Sequence, residues 1–223
     1  MFTLDDLITQ RPPLHRHGDG RKASWGASET VLKFIMDHAG PHSKTIETGA
    51  GHSTIAFALS GAEHYAVFPE PYLADTVGDF LDDNGIARDK LHLLNGPSQD
   101  ILPALKEDGF DLVFIDGDHA FPVPFMDWYY LGRRMKPGGL LIIDDTQIWT
   151  GHVLKTFLMM EPEWRLIKDC YGASFFRMEE PWSGKWWGKQ AYTVIHSSFK
   201  PGDENLFTPH IREMLLPVYE SDK

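Results

Sequence analysis

Two apolar runs that stop on carboxylates constrain this chain more than any other feature. Val113-Phe114-Ile115 ends on Asp116, and Leu140-Leu141-Ile142-Ile143 ends on Asp144 and Asp145. Each run has the length and Val/Ile/Leu content of a strand buried on both faces, the habit of a parallel sheet covered by helices. In such a sheet, ligands bind in the crevice outside the carboxyl ends of the strands. Carboxylates converging there repel one another unless a cation lies between them, and hard cations take oxygen ligands. A divalent-cation site built from Asp116, Asp144 and Asp145 is the first expectation. The competing reading is that these aspartates cap the following helices or face solvent.

The remaining chain fits the same sheet. Val31, Leu32, Ile35 and Met36 recur at helical spacing after a capping Ser28, and Gly40-Pro41 supplies a stop. A strand over 44–47, a glycine turn and a helix over 54–59 follow. A strand over 64–68, a helix over 73–84, a strand over 90–94 and a short helix over 98–106 come next. The two marked strands bracket a helix expected over 123–135, with Lys136-Pro137-Gly138-Gly139 as its terminator. After a helix over 152–160, strands over 164–168 and 174–178 are joined by too few residues for a parallel crossover, so the last strand should enter antiparallel. This alternation specifies an α/β fold, a doubly wound, mostly parallel sheet with helices on both faces. Residues 1–27, with Arg11-Pro12-Pro13 and His15-Arg16-His17-Gly18-Asp19-Gly20, read as an irregular arm or lid whose histidines face solvent. The core domain should run over 28–180, with 181–223 as an extension packed on it.

A net charge of −11 opposes general attraction to nucleic-acid phosphates or anionic lipid and favours a small-molecule partner. One cysteine, Cys170, allows no internal disulfide, and no stretch approaches the roughly 20 apolar residues of a membrane span. The start Met1-Phe2-Thr3-Leu4-Asp5-Asp6 lacks the basic and apolar regions of a secretory signal, so a cytoplasmic setting is expected.

The first strand leads into Glu47-Thr48-Gly49-Ala50-Gly51-His52-Ser53. Glycines let a ligand approach the backbone, and the helix start offers unpaired N–H groups to a carboxylate or phosphate. A dinucleotide fingerprint would place a third glycine at position 54, where Thr54 stands. Glu47 would repel a pyrophosphate but could accept hydrogen bonds from an amine or hydroxyl. An amino-acid-bearing nucleoside fits this loop better than a dinucleotide.

On these residues the chain resembles class I S-adenosylmethionine-dependent methyltransferases over roughly 28–178. The resemblance implies a Rossmann-like seven-stranded sheet with an antiparallel last strand, and cofactor contacts from Glu47, Gly49, Gly51 and Ser53. The second strand of that family ends on a ribose-binding acid; here Phe68 stands there, and Glu70 is the nearest substitute. A solvated loop acid is the alternative for Glu70. Gly96-Pro97-Ser98-Gln99-Asp100 resembles the adenine-binding segment of the catechol O-methyltransferase group, which implies cofactor contacts from Ser98 and Gln99; Ser98 as a simple helix cap competes. Phe114-Ile115-Asp116-Gly117-Asp118-His119, with the Lys136–Asp145 stretch, is similar to a metal-dependent branch that includes macrolide-sugar O-methyltransferases. That resemblance implies that Asp116, Asp144 and Asp145 hold a divalent cation, with magnesium favoured, and that Asp116 also borders the cofactor. His119, whose ordinary pKa is near 6.5, is the candidate general base for a hydroxyl of the acceptor; ligation or orientation is its alternative role.

The leading expectation is an O-methyltransferase for a small hydroxylated molecule, using S-adenosylmethionine and a divalent cation. A nicotinamide-dependent oxidoreductase and a noncatalytic cofactor-binding or assembly protein of the same fold are the alternatives. Trp25, Trp149 and His152 are candidates for an acceptor pocket or for plain packing. The tryptophans at 182, 186 and 187 suggest a lid or a homodimer contact.

Overall fold

The computed structural model describes residues 2–182 together with 184, 185 and 190. Seven strands form its main sheet: β1 (Lys44–Thr48), β2 (Glu63–Phe68), β3 (Leu91–Asn95), β4 (Phe110–Ile115), β5 (Met135–Asp144), β6 (Trp164–Cys170) and β7 (Ala173–Met178). The spatial order is β3-β2-β1-β4-β5-β7-β6, and only β7 runs against its neighbours. The expected α/β, doubly wound, mostly parallel sheet with an antiparallel last strand is what is observed. Its chain order reverses between β1 and β4, so the crevice outside their carboxyl ends is the topological switch point.

The two runs that opened the sequence reading form the middle of this sheet. Leu112, Phe114, Leu140 and Ile142 enter one apolar core, while Val113, Ile115, Leu141 and Ile143 enter the core on the opposite face. Burial on both faces explains why these strands show no polar alternation.

The helices are α1 (Leu4–Gln10), α2 (Glu29–His38), α3 (His52–Ser60), α4 (Tyr72–Asp83), α5 (Ser98–Ile101), α6 (Val123–Gly132) and α7 (Trp149–Met160). Ser28 caps α2 through Val31 N–H, as expected. Two expectations require correction. The segment Lys136-Pro137-Gly138-Gly139 does not end α6, which stops at Gly132, but forms an irregularity within β5 between the pairs Phe110–Met135 and Leu112–Leu140. Buried Met135 brings the strand back into the sheet before the glycines are reached.

The arm is also regular where irregularity was expected. Thr3 and Asp6 form a reciprocal capping box for α1, Leu7 and Leu14 are buried in the main core, and His15–Arg16 pairs antiparallel with Lys22–Ala23. His15 and His17 are half-buried rather than solvent-exposed, and Trp25 stacks edge-on against His17. Of the tryptophan-rich segment, Trp182 is buried against Trp128, whereas 186 and 187 lie outside the described residues. Of the expected extension over 181–223, residues 183, 186–189 and 191–223 lie outside the described residues. No helix among the described residues is long and apolar enough to cross a membrane.

Candidate active site

Strand register brings the candidate residues to one edge. Thr48 pairs with Ile115, and Ile115 with Ile143, so Gly49, Asp116 and Asp144 follow at the same level across three adjacent strands. The fit between β1 and β4 is close. A Cβ on Gly49 would lie 2.3 Å from the Asp116 carbonyl oxygen, and the residue adopts φ +95°, so this turn requires glycine.

On the β1–β3 side, the side chains are buried and interlocked. Glu47 is fully buried; its Oε1 accepts from the Thr54 hydroxyl and lies 3.1 Å from His64 Nε2, while His64 Nδ1 lies 2.8 Å from Thr45 Oγ1. The His64 ring stacks on Phe57 with centroids 4.0 Å apart. Thr54 Oγ1 also accepts from Gly51 N–H at 2.9 Å, so it couples the glycine loop to Glu47. Thr54, which counted against a dinucleotide loop, thus serves as a hydroxyl bridge. Glu47 Oε2 is buried with no hydrogen-bond partner among the described residues. A buried carboxylate oxygen without a donor loses its hydration uncompensated, so this atom fits an incoming amine or hydroxyl.

Ser53 is buried in the first turn of α3, and Glu70 is exposed in the loop after β2. Ser98 is nearly buried at the start of α5, where Pro97 rather than Ser98 is the cap residue; Gln99 is exposed beside it. Asn95 donates through Nδ2 to the Phe68 and Pro69 carbonyls at 3.1 and 3.3 Å, bracing the loop that carries Glu70.

On the β4–β5 side, charges converge. Oxygen or nitrogen atoms of Asp116, His119 and Asp145 lie within 4.8 Å of one another, close enough to share a cation. Asp144 borders this trio rather than joining it. Burial, with the charges of Asp144, Glu47 and Asp145, holds the Asp116 carboxyl well above its ordinary range. Burial chiefly pushes Asp144 up to about 6. Asp145 moves the other way, because His119 Nε2 lies 2.9 Å from its Oδ2 and favours the carboxylate; the same contact raises the His119 pKa. Asp145 sits in the left-handed region at φ 51°, and Gly151 packs so closely that an added Cβ would fall 2.6 Å from the Asp145 carbonyl oxygen. Thr150 donates to the His119 carbonyl at 2.6 Å, so the start of α7 fixes both members of the pair.

Phe121 and Trp149, 66% and 51% exposed, stand beside this cluster with rings 6.1 Å apart. Trp25 belongs instead to the arm, and His152 is half-buried on α7, where its charge acts on Asp169 of β6. Several site-bordering residues escaped the sequence reading. His64 had no signal beyond its place in a strand, and Asp127 resembled any helix-surface acid. Asp127 is fully buried, and burial pushes its carboxyl up to about 6 against the opposing pull of the Ser98 and Thr48 hydroxyls.

Residues 46–146 match the model of a family described as a methyltransferase domain. A putative O-methyltransferase of Mycobacterium avium (strain 104) is 31% identical over 103 residues, covering 44% of this chain and 45% of the relative. A catechol O-methyltransferase of Mycobacterium tuberculosis is 33% identical over 112 residues, covering 49% of each chain. This chain thus spans about half the length of these relatives. Among solved structures, the O-methyltransferase TomG from Streptomyces achromogenes, in complex with S-adenosylmethionine, aligns with a TM-score of 0.62 at 17% identity over 79% of this chain and 91% of its own. An O-methyltransferase from Bacillus cereus bound to S-adenosylhomocysteine gives 0.57 at 18% identity, over 78% and 88%. The matched domain and the curated relatives are of the kind that the sequence resemblance implies, and the solved structures share the fold.

Proposed function

We infer that this chain is a class I S-adenosylmethionine-dependent O-methyltransferase that uses a divalent cation to act on a small hydroxylated molecule. The juxtaposition at one switch point of a buried, half-satisfied Glu47 and the Asp116–His119–Asp145 cluster carries this reading. The relatives named O-methyltransferase and catechol O-methyltransferase support the reaction type, and a vicinal diol is the acceptor class that their names favour.

The residues fit both absent groups. Glu47 Oε2 can accept from the cofactor ammonium, and the glycine loop with the start of α3 can receive its amino-acid tail. Glu70 is assigned to the ribose, and Ser98 and Gln99 to the adenine. Asp116 and Asp145 would hold the cation, with Asp144 adding negative charge beside them. Oxygen donors suit magnesium, and the carboxyls held above their ordinary range by burial and by neighbouring charges carry a charge cost that a cation would offset. When bound, S-adenosylmethionine supplies an electrophilic methyl group, and the cation supplies positive charge for a developing alkoxide.

The chain's own residues handle position and proton. With its Nε2 proton directed at Asp145, His119 presents Nδ1 as the acceptor for a hydroxyl proton, and Asp145 stabilises the imidazolium that results. Neutralising that proton while aligning the hydroxyl oxygen is the work asked of this half of the cleft. Calorimetric titration with S-adenosylhomocysteine and with NAD, followed by labelled-methyl transfer to catechol with magnesium or chelator, tests the reading. Binding of S-adenosylhomocysteine alone and chelator-sensitive transfer are expected. Preference for NAD would sink the reading, and binding without transfer across a panel of hydroxyl compounds would favour a noncatalytic role.

A further inference from the structure

The N-terminal arm reaches into the cofactor loop. Its short hairpin carries His15 over Gly51, where an added Cβ would lie 2.9 Å from His15 Nε2. Four contacts fasten the arm there. His52, in the first turn of α3, donates through Nε2 to the Pro12 carbonyl at 2.8 Å. Its ring also packs so closely on Gly26 that a Cβ would fall 2.1 Å from His52 Nδ1. The Arg16 N–H donates to the Tyr72 hydroxyl at 3.2 Å, and the Arg16 guanidinium lies 4.9 Å from the centre of that ring. The arm therefore bridges the start of α3 and the start of α4, the two helices that flank Glu47 and Glu70.

This end of the cleft presents unequal chemistry to an amino-acid tail. Glu47, tied to the first turn of α3 through Thr54, leaves Oε2 without a donor and can satisfy an ammonium. Burial lowers the His15 pKa against the opposing charges of Glu70 and Glu47, so the imidazole over Gly51 serves as a neutral donor. An α-carboxylate entering beside them would be repelled unless donors faced it. The N–H groups at the start of the nine-residue α3 are one source, and the imidazole above Gly51 is the other.

We propose that His15 is a cofactor-binding residue that donates to the methionyl carboxylate of the methyl donor, making the arm part of the cofactor site. This assignment rests on the methyltransferase reading and adds a contact supplied from outside the glycine loop. It also accounts for glycine at position 51, where a side chain would displace the imidazole.

Three ligands separate this role from mere coverage: S-adenosylhomocysteine, its decarboxylated analogue, which keeps the amine, and 5′-methylthioadenosine, which lacks the whole tail. Titrated calorimetrically into the full chain, H15A should bind S-adenosylhomocysteine roughly tenfold more weakly than wild type, the scale of one hydrogen bond to a charged group. Affinities for the other two ligands should be unchanged, and H15Q, which keeps a donor, should recover part of the loss. Unchanged or tighter binding of S-adenosylhomocysteine by H15A would overturn the proposal. An equal loss for all three ligands would also overturn it, because the arm would then act only as a cover. Failure of the wild-type chain to bind S-adenosylhomocysteine would remove the methyltransferase reading itself.

Discussion

The two ends of the cleft solve opposite electrostatic problems. Around Glu47, polar groups are buried in a chain of contacts through Thr54, His64 and Thr45, leaving one carboxylate oxygen for a ligand. Around Asp116, several acids meet, and two of them, Asp116 and Asp144, are held above the ordinary carboxylate range by burial and by neighbouring carboxylates. The first end is organised by the protein alone and awaits a donor. The second is electrostatically incomplete; among the described residues its ion pair is His119 with Asp145, whose other oxygen accepts from Gln147 Nε2. Cofactor binding should therefore depend on local geometry, and turnover on charge balance.

Removing the His119–Asp145 pair is the strongest challenge to that division. Asp145→Ala should lower kcat for methyl transfer by about 100-fold or more, since it removes both a candidate ligand and the partner that orients the base. S-adenosylhomocysteine affinity should stay within about twofold of wild type, on the usual independence of sites without shared partners. Equal losses in both would show the two ends to be one unit. The converse change, Glu47→Gln, should weaken S-adenosylhomocysteine binding by roughly 10- to 100-fold, the range for losing a charge-assisted hydrogen bond in a buried site. Calorimetry reads this directly, and an unchanged affinity would remove Glu47 from the cofactor site.

Proton linkage distinguishes the ends without mutation. A carboxyl raised in the folded state binds its proton more tightly there than in the unfolded chain. Stability without cation should therefore fall as pH rises from the ordinary carboxylate range through about 6, where Asp144 titrates. Asp144 and Asp127, each pushed up to about 6, contribute a loss on the order of 2–3 kcal/mol apiece, and Asp116 adds to it in the same direction. Urea unfolding from pH 4 to 7 should show the fall, and magnesium should flatten the part due to Asp116 and Asp144. The part due to Asp127, also pushed up to about 6 but outside the cluster, should persist. A magnesium-insensitive profile would separate the acids from any cation.

His119 supplies a smaller signal, read in turnover rather than in stability. Its pKa is raised chiefly by Asp145, so the fraction of neutral base, and with it kcat, should rise with pH through a midpoint above the ordinary imidazole value. Asp145→Asn should move that midpoint down by up to about one pH unit, because it removes a nearby charge. A midpoint that stays in place would deny His119 the role of base.

The sheet and much of the cluster were legible because burial on both faces writes uninterrupted apolar runs, and a strand end writes an abrupt carboxylate. Asp116, Asp144 and Asp145 could be located this way, but register alone could not show that His119 would come within reach of Asp116 and Asp145. Thr54 was visible only as a missing glycine, since its bridge to Glu47 depends on the turn that places Gly51 N–H beside it. The arm hid for a different reason. Its Arg-Pro-Pro and glycine-rich segments signal irregularity, while the Thr3–Asp6 capping box and the lone core residues Leu7 and Leu14 are weak signals over so short a stretch. Long-range contacts such as His52 to Pro12 complete the arm, and no local pattern encodes them.

The aromatic rim offers the mildest test of the contrast between the ends. Phe121 and Trp149 expose large apolar surface beside the His119–Asp145 pair, and neither belongs to the buried core. Their truncation should cost little stability, because exposed side chains outside the core usually change it by less than about 0.5 kcal/mol. If an aromatic acceptor slots against them, Phe121→Ala and Trp149→Ala should each raise KM for catechol by roughly three- to tenfold, the scale of an aromatic contact, while leaving kcat and S-adenosylhomocysteine affinity near wild type. A non-aromatic vicinal diol should respond less, since it lacks the ring face that these side chains would meet. Equal KM changes for both acceptors would mean that the rim only excludes water. A fall in kcat with KM unchanged would instead place these rings in the alignment of the reacting hydroxyl, making the open end of the cleft more preorganised than its exposure suggests.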